Sequence, residues 1–130
     1  MKLRPDLSVI RFNLASIYLK NNKWQEAIKQ YEEGFKYQQP NARILNNLAF
    51  AYQKIGDLDK AAEIYRKVLV LDSHDASAFY NLAVILHKKG KTSESILLIR
   101  RSLNAVEKNT TGYKNLSDML ERLSPKGPLH

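Results

Sequence analysis

The apolar positions of this chain recur with helical spacing. Leu45, Leu48 and Tyr52 fall at i, i+3 and i+7, on one face of a helix. "KIGDLDKA" (Lys54 to Ala61) breaks that stripe, and Ala61, Ile64, Tyr65, Val68 and Leu69 form a second one. The segment Asp72 to Asp75 breaks the pattern again. Within the first break, Gly56 suits the left-handed conformation that ends a helix, and Asp57 suits the cap of the next. The spacing therefore predicts a helix, a tight turn and a second helix. "KKGKTSES" (Lys88 to Ser95) repeats the inner turn with Gly90 in the place of Gly56. Asn22 takes that place earlier in the chain, and asparagine tolerates the left-handed conformation better than most residues.

The whole unit recurs at a fixed period. Asn13, Asn47, Asn81 and Asn115 are each 34 residues apart. Leu14, Leu48, Leu82 and Leu116 follow them, then Ala15, Ala49, Ala83 and Ser117. Tyr18, Tyr52, Leu86 and Leu120 keep the same step, as do Ala27, Ala61 and Ser95, then Tyr31, Tyr65 and Ile99. Phe35, Leu69 and Leu103 also align. Asn41, Asp75 and Asn109 precede successive first helices and are residue types that cap them, accepting from an otherwise orphan backbone N–H. The small residue after each Leu allows two helices to approach closely.

This register resembles the tetratricopeptide repeat family. That family's 34-residue helix–turn–helix carries a large residue, Leu, a small residue and Tyr in its first helix, then Ala and an aromatic in its second. Leu45, Leu48, Ala49, Tyr52, Gly56, Ala61 and Tyr65 match it in the middle unit; Phe79, Leu82, Ala83, Leu86, Gly90, Ser95 and Ile99 do so in the third. The first unit departs: Arg11 stands where Leu45 and Phe79 do, Gly34 stands where Val68 does, and Pro40 comes one place later than the family's proline. The resemblance implies an all-α fold, a right-handed α-solenoid of antiparallel helix pairs. It implies a single domain over 1–130, with repeats at 8–41, 42–75 and 76–109. Residues 110–123 form a capping helix like the first helix of a fourth repeat, and 124–130 are expected to be a flexible tail.

The two ends differ. Pro5 precedes Pro40 by about one period, so "LRPDL" reads as the tail of an earlier unit. Ile10, Leu14 and Ile17 are as apolar as their inner counterparts Ile44, Leu48 and Ala51. Terminal repeats normally turn a polar face outward. This end is therefore expected either to continue a longer array or to self-associate into a homo-oligomer through Ile10 and Ile17. At the other end, Tyr113, Leu116, Met119, Leu120 and Leu123 make one apolar stripe, opposite Lys114, Asp118, Glu121 and Arg122, as suits a closing amphipathic helix.

Composition narrows the chemistry. Hydrophobic residues make up 44% and charged residues 26%, which is ordinary for a folded globular chain. There is no cysteine, so disulfides, thiol catalysis and thiolate metal sites are excluded. A reducing, cytoplasmic setting is the expectation that fits. No apolar run approaches the roughly 20 residues of a membrane span. "MKLRPDLSVIRF" lacks the apolar core of a signal peptide and reads as mature sequence. The net charge is +8. Residues 1–75 hold 12 basic and 9 acidic side chains and residues 76–130 hold 9 and 4, so the second half is the more basic. That bias suits acidic proteins, nucleic acid or anionic surfaces.

No enzyme signature emerges. His74, His87 and His130 are scattered, and no phosphate loop or nucleophile motif is present. No cofactor is expected. Glu32 and Glu33 read as a solvated helix face, and Trp24 as a packing residue at a helix turn. In the family the first helices line a concave groove. Helical spacing places Asn13, Asn47, Asn81 and Asn115 on its edge, with Phe12, Ser16 and Lys20, with Arg43, Asn46, Phe50 and Lys54, and with Ser77, Tyr80, Val84 and Lys88. Asparagine is a mediocre helix former, so four in register suggest a cause. One amide can donate to a carbonyl and accept from an N–H, which grips a peptide main chain without reading its side chains. With helices about 8–10 Å apart and an extended chain rising about 3.3 Å per residue, each rung would meet the ligand about once in three residues. These positions resemble the asparagine ladder of the O-linked N-acetylglucosamine transferase repeats. The rival explanations are a harmless Asn copied by duplication, or one that bonds locally between helices.

Phe12, Phe50 and Tyr80 would supply apolar surface in such a groove, and Lys20, Lys54 and Lys88 would favour an acidic partner. The family's chaperone-tail receptors hold a carboxylate at places occupied here by Phe12, Ser16, Asn47, Ser77 and Asn81, where only Asn47 fits. The leading expectation is a module that binds an extended peptide or protein segment. The alternative is a structural, self-associating segment of an array. A minor one is nucleic-acid binding through Arg100, Arg101 and Lys108 on the outward helix.

Overall fold

The structure is a computed structural model and describes residues 7–125. Pro5, His130 and the tail beyond Pro125 lie outside the described residues. Among the described residues seven helices follow one another: α1 (Leu7–Lys20), α2 (Trp24–Gly34), α3 (Ala42–Lys54), α4 (Leu58–Leu71), α5 (Ala76–Lys88), α6 (Thr92–Ala105) and α7 (Thr111–Leu123). Among the described residues there is no strand. The helices pack in consecutive pairs, α1 with α2, α3 with α4 and α5 with α6, and α7 closes on α5 and α6. This is an all-α solenoid architecture. The chain divides into two compact units, Met1–Leu71 and Asp72–His130, at the break between the second and third repeats. In a repeat array each element packs only on its neighbours, so such a division follows from the local character of the contacts.

The three inner turns are built alike. Asn22, Gly56 and Gly90 have φ of 61°, 88° and 81°, the left-handed conformation expected of them. The next residue then reaches back into the helix. The N–H of Lys23 donates to the Tyr18 carbonyl at 2.9 Å, Asp57 to Tyr52 at 3.0 Å and Lys91 to Leu86 at 2.8 Å. Each bond satisfies a carbonyl that the helix end would otherwise leave orphaned. The expected caps form at Asn41, which accepts from Ile44 N–H at 2.8 Å, and at Asp75, which accepts from Ala78 N–H at 3.0 Å. Asp57 accepts from Lys60 N–H at 3.2 Å. The expected cap at Asn109 is not used. Thr110 caps α7 instead, accepting from Tyr113 N–H at 3.1 Å. Its hydroxyl also donates to the Glu107 carbonyl at 2.7 Å, a double role that fixes the turn one residue later.

In the first unit the periodic residues make the core: Ala15, Ala27 and Tyr31 between α1 and α2, and Leu48, Ala49, Ala61, Tyr65 and Val68 between α3 and α4. Burial of one such Leu or Val contributes about 1.5–3 kcal/mol. The departures of the first repeat have physical causes. A Cβ on Gly34 would lie 2.4 Å from Cε1 of Phe12, so the missing side chain is what admits the Phe12 ring. Phe12 packs there against Tyr31 and Phe35, with ring centroids 6.2 and 5.8 Å away. Arg11, in the register of buried Leu45 and Phe79, is half-buried and donates from Nη1 to Gln30 Oε1 at 2.8 Å. Glu32 is not simply a solvated carboxylate: it accepts from the Tyr52 hydroxyl and ties α2 to α3. Partial burial, then this bond, push the Tyr52 phenol above its ordinary range. Glu33 pairs with Lys36 at 3.1 Å, and that hydrogen bond and charge lower its pKa. Ile10 and Ile17 remain 48% and 55% exposed on α1, whereas their counterparts Ile44 and Ala51 are buried.

In the second unit, Phe79, Leu82, Ala83, Ile85 and Leu86 pack with Leu98, Ile99, Leu116 and Met119. Ser95 replaces the alanine of the other repeats and is fully buried, and its hydroxyl donates to the Ala83 carbonyl at 2.8 Å. That bond removes the cost of burying a hydroxyl, about 1–3 kcal/mol if left unmade. Gly112 lets the start of α7 approach α5, since a Cβ there would stand 2.5 Å from that of Ala76.

Candidate peptide-binding surface

The four asparagines stand on α1, α3, α5 and α7, each followed by a Leu and a small residue of the stripe, both of which are buried at Leu48 and Ala49 and at Leu82 and Ala83. Asn13 and Asn115 are exposed, and Asn47 and Asn81 are half-buried. Among the described residues, none of the four side-chain amides makes a hydrogen bond within the chain. Local bonding between helices therefore does not explain them. In the first unit, Asn13 on α1 and Asn47 on α3 line the same small cavity of about 40 Å³, with Ser16 and Arg43 beside them. That is far below the roughly 300–1,000 Å³ of a small-molecule site, so the space suits small polar groups or water rather than a large side chain. In the second unit, Asn81 stands on α5 and Asn115 on α7.

Phe12 is corrected by the structure. It is 9% exposed and belongs to the core, because Gly34 opens a space on α2 that draws its ring inward. Its ring contributes to the wall of the small cavity at Asn13 and Asn47 rather than to an exposed apolar surface. Phe50, at 36% exposed, and Tyr80, half-buried, do offer such surface to a ligand.

Phe50, Lys20 and Lys54 come together with Trp24, Leu19 and Asn22 around an open cleft of about 490 Å³ in the first unit. Lys20 and Lys54 are the last residues of α1 and α3, where a cation is favoured by the helix dipole. Trp24 opens α2 just past the Asn22 turn, and its ring meets Phe50 edge to face, 5.8 Å away at 80°. The Lys54 ammonium lies 5.2 Å from the Phe50 ring and 5.9 Å from that of Trp24. Trp24 thus packs, as its sequence context suggests, and also forms a wall of this cleft. Its place 34 residues before Leu58, a helix-start position, carried no signal of that second role.

Lys88 occupies the same register in the second unit. There Tyr80, Val84, His87 and Lys88 on α5 line a depression of about 410 Å³ with Met119, Arg122 and Leu123 on α7. Arg122 is a cation that groove reasoning did not single out, since it belongs to the capping helix. His87 bonds through Nδ1 to the Thr92 hydroxyl at 2.8 Å. Lys114 is held by Asp118 at 2.8 Å, which raises its pKa through that hydrogen bond and the opposite charge. Arg101, on α6, stacks over Phe79 with its guanidinium carbon 5.9 Å from the ring centroid, while Arg100 beside it is exposed. Among the described residues, no group of three or more His, Cys, Asp or Glu is placed to hold a metal, and no helix is long and apolar enough to cross a membrane.

Comparisons agree with this architecture. No curated protein sequence matches the chain. Among solved structures, the fold is shared with PcrH from Pseudomonas aeruginosa, at 16% identity over 95% of this chain and 96% of that one, with a TM-score of 0.81. The type III secretion chaperone SycD of Yersinia enterocolitica, solved with a peptide of the translocator YopD, superposes at a TM-score of 0.80. Its identity is 20%, and the match covers 95% of this chain and 96% of that one. The second repeat domain of human RPAP3, solved with the HSP70 peptide SGPTIEEVD, gives 0.76 at 22% identity, covering 92% and 97%. The family model described as tetratricopeptide repeat matches residues 12–76 and 47–110, most of the chain. The chain belongs to the tetratricopeptide repeat family.

Proposed function

We propose that this chain is a protein-interaction module that holds an extended peptide segment, with Asn13, Asn47, Asn81 and Asn115 gripping its main chain. The observation that carries this reading is that, among the described residues, four amides in one register have no partner, while Ala15, Leu48, Ala49, Leu82, Ala83 and Leu116 beside them are buried in the core. An amide presents two donors and an acceptor, the complement of a peptide unit. The small cavity that Asn13 and Asn47 share supports capture of a main-chain group rather than of a large side chain. SycD and RPAP3, which share the fold, were solved with bound peptides, and this chain is proposed to act in the same general way without catalysis. Lys20, Lys54 and Lys88 bias it toward an acidic partner.

The test is Asn47→Ala combined with Asn81→Ala. A net hydrogen bond is worth about 0.5–1.5 kcal/mol, so losing both rungs should weaken a bound linear peptide by roughly fivefold to a hundredfold. Helicity by circular dichroism should not change. Undiminished affinity for a groove-bound peptide would remove the asparagines from the mechanism.

A further inference from the structure

The cleft at Trp24 carries more than a general bias for acidic partners. We propose that it is a side-chain-reading subsite for an acidic–apolar pair: an Asp or Glu carboxylate held by Lys20 and Lys54, and a large apolar side chain two residues away set against Trp24 and Phe50. This rests on the peptide-binding reading and adds to it a recognition element on one of the second helices.

Charge is the first argument. Among the described residues, Lys20 and Lys54 have no carboxylate partner, unlike Lys36, Lys67 and Lys114, which pair with Glu33, Glu63 and Asp118. Two unpaired ammonium groups on one cleft await an anion. The second argument is preorganisation. A surface lysine normally loses rotamer freedom when it is ordered by a ligand, at about 0.5–1.5 kcal/mol. Lys54 is already seated over two aromatic rings. The third is size. The cleft is about 490 Å³ and open to solvent, so a segment laid across it can set two side chains into it without entering a closed pocket. In an extended segment, residues i and i+2 point the same way, so one strand can present both groups to one cleft.

The same cations and rings would also suit a nucleotide, with a phosphate on the lysines and a base on the indole. The ring geometry favours the peptide. Trp24 and Phe50 are 80° apart and share Lys54, so they do not present parallel faces between which a base would stack.

The full chain is used to select binders from a displayed library of random linear peptides, and the selected peptides are measured by fluorescence anisotropy. The expected selection is enriched in Asp or Glu two places from Leu, Ile, Met or Phe. Lys20→Glu with Lys54→Glu should weaken these peptides at least about tenfold and leave their acid-to-amide versions little changed. Trp24→Leu, which keeps an apolar residue for packing, should erase the apolar preference and keep the acidic one. Asn47→Ala should weaken all peptides alike. Selected peptides without the acidic–apolar pair, or a pair preference unmoved by the lysine variants, would overturn the subsite and leave peptide binding standing. Displacement of the peptides by single-stranded oligouridylate at equal concentration would overturn it in favour of a nucleotide site. Failure to select any peptide would overturn the peptide-binding reading and the subsite with it.

Discussion

Gly34→Ala sets two effects of opposite sign against each other. Gly34 ends α2 with an ordinary helical φ, and replacing glycine by alanine in a helix stabilises it by up to about 1 kcal/mol. Against this stands the added methyl group. It would lie 2.4, 2.9 and 3.0 Å from three atoms of the Phe12 ring, where contact normally begins near 3.5–4.0 Å. The ring must shift by roughly 1 Å. It packs against Tyr31 and Phe35 and borders a cavity of about 40 Å³, so a shift toward that space relieves part of the clash but disturbs both ring contacts. Overpacking of this kind costs about 1–3 kcal/mol, so the steric term wins and the variant should be less stable by up to about 2 kcal/mol. Phe12→Ala alone should cost about 3–5 kcal/mol through the cavity it leaves. In that background the clash is gone, and Gly34→Ala should turn neutral or stabilising. The assay is urea unfolding followed by fluorescence of Trp24, the only tryptophan, which reports on the first unit. A sign change between the two backgrounds is the expected result. If Gly34→Ala stabilises the protein with Phe12 in place, or if the two effects simply add, Phe12 and Gly34 do not share that space.

Two further expectations concern polar groups in the same repeats. The Tyr65 hydroxyl donates to Gln53 Oε1 at 3.0 Å, but one period earlier Leu19 stands in the place of Gln53, and the buried Tyr31 hydroxyl has no partner among the described residues. Tyr65→Phe should therefore cost about 0.5–1.5 kcal/mol in thermal unfolding while Tyr31→Phe costs less or stabilises; equal losses would contradict this account. At the entry to α7, Thr110→Ala should cost about 1 kcal/mol and Asn109→Ala close to nothing, and calorimetry showing the reverse order would return the cap to Asn109.

The scaffold was legible because its residues serve the same purpose in every copy. Tyr18, Tyr52 and Leu86 lend carbonyls to identical turns, and Asn22, Gly56 and Gly90 supply the left-handed residue each turn needs. What escaped were features made by contacts between residues distant in sequence. Phe12 sits on the groove face by helical spacing, but its burial depends on a glycine on the neighbouring helix. The Trp24 cleft needs α1, α2 and α3 to bring Lys20, Trp24 and Phe50 together, and no spacing along one helix encodes that. The choice of Thr110 over Asn109 lay below the resolution of the pattern. Both residue types cap well, and only the additional bond to Glu107 separates them.

Repetition itself divides the proposed recognition between two kinds of residue. A group present in every repeat can only engage a feature that recurs along the ligand, and in a peptide of arbitrary sequence that feature is the main chain. Asn13, Asn47, Asn81 and Asn115 meet this condition, and the amide chemistry fits it. A residue present once can read only one place on the ligand. Trp24 is such a residue, and it seats Lys54, which otherwise belongs to the repeating lysines. One lysine register thus serves differently in each unit: beside Phe50 and Trp24 at Lys54, beside Tyr80 and Arg122 at Lys88. Loss of an asparagine should therefore lower affinity for all bound segments alike, whereas loss of Trp24 should change which segments are bound.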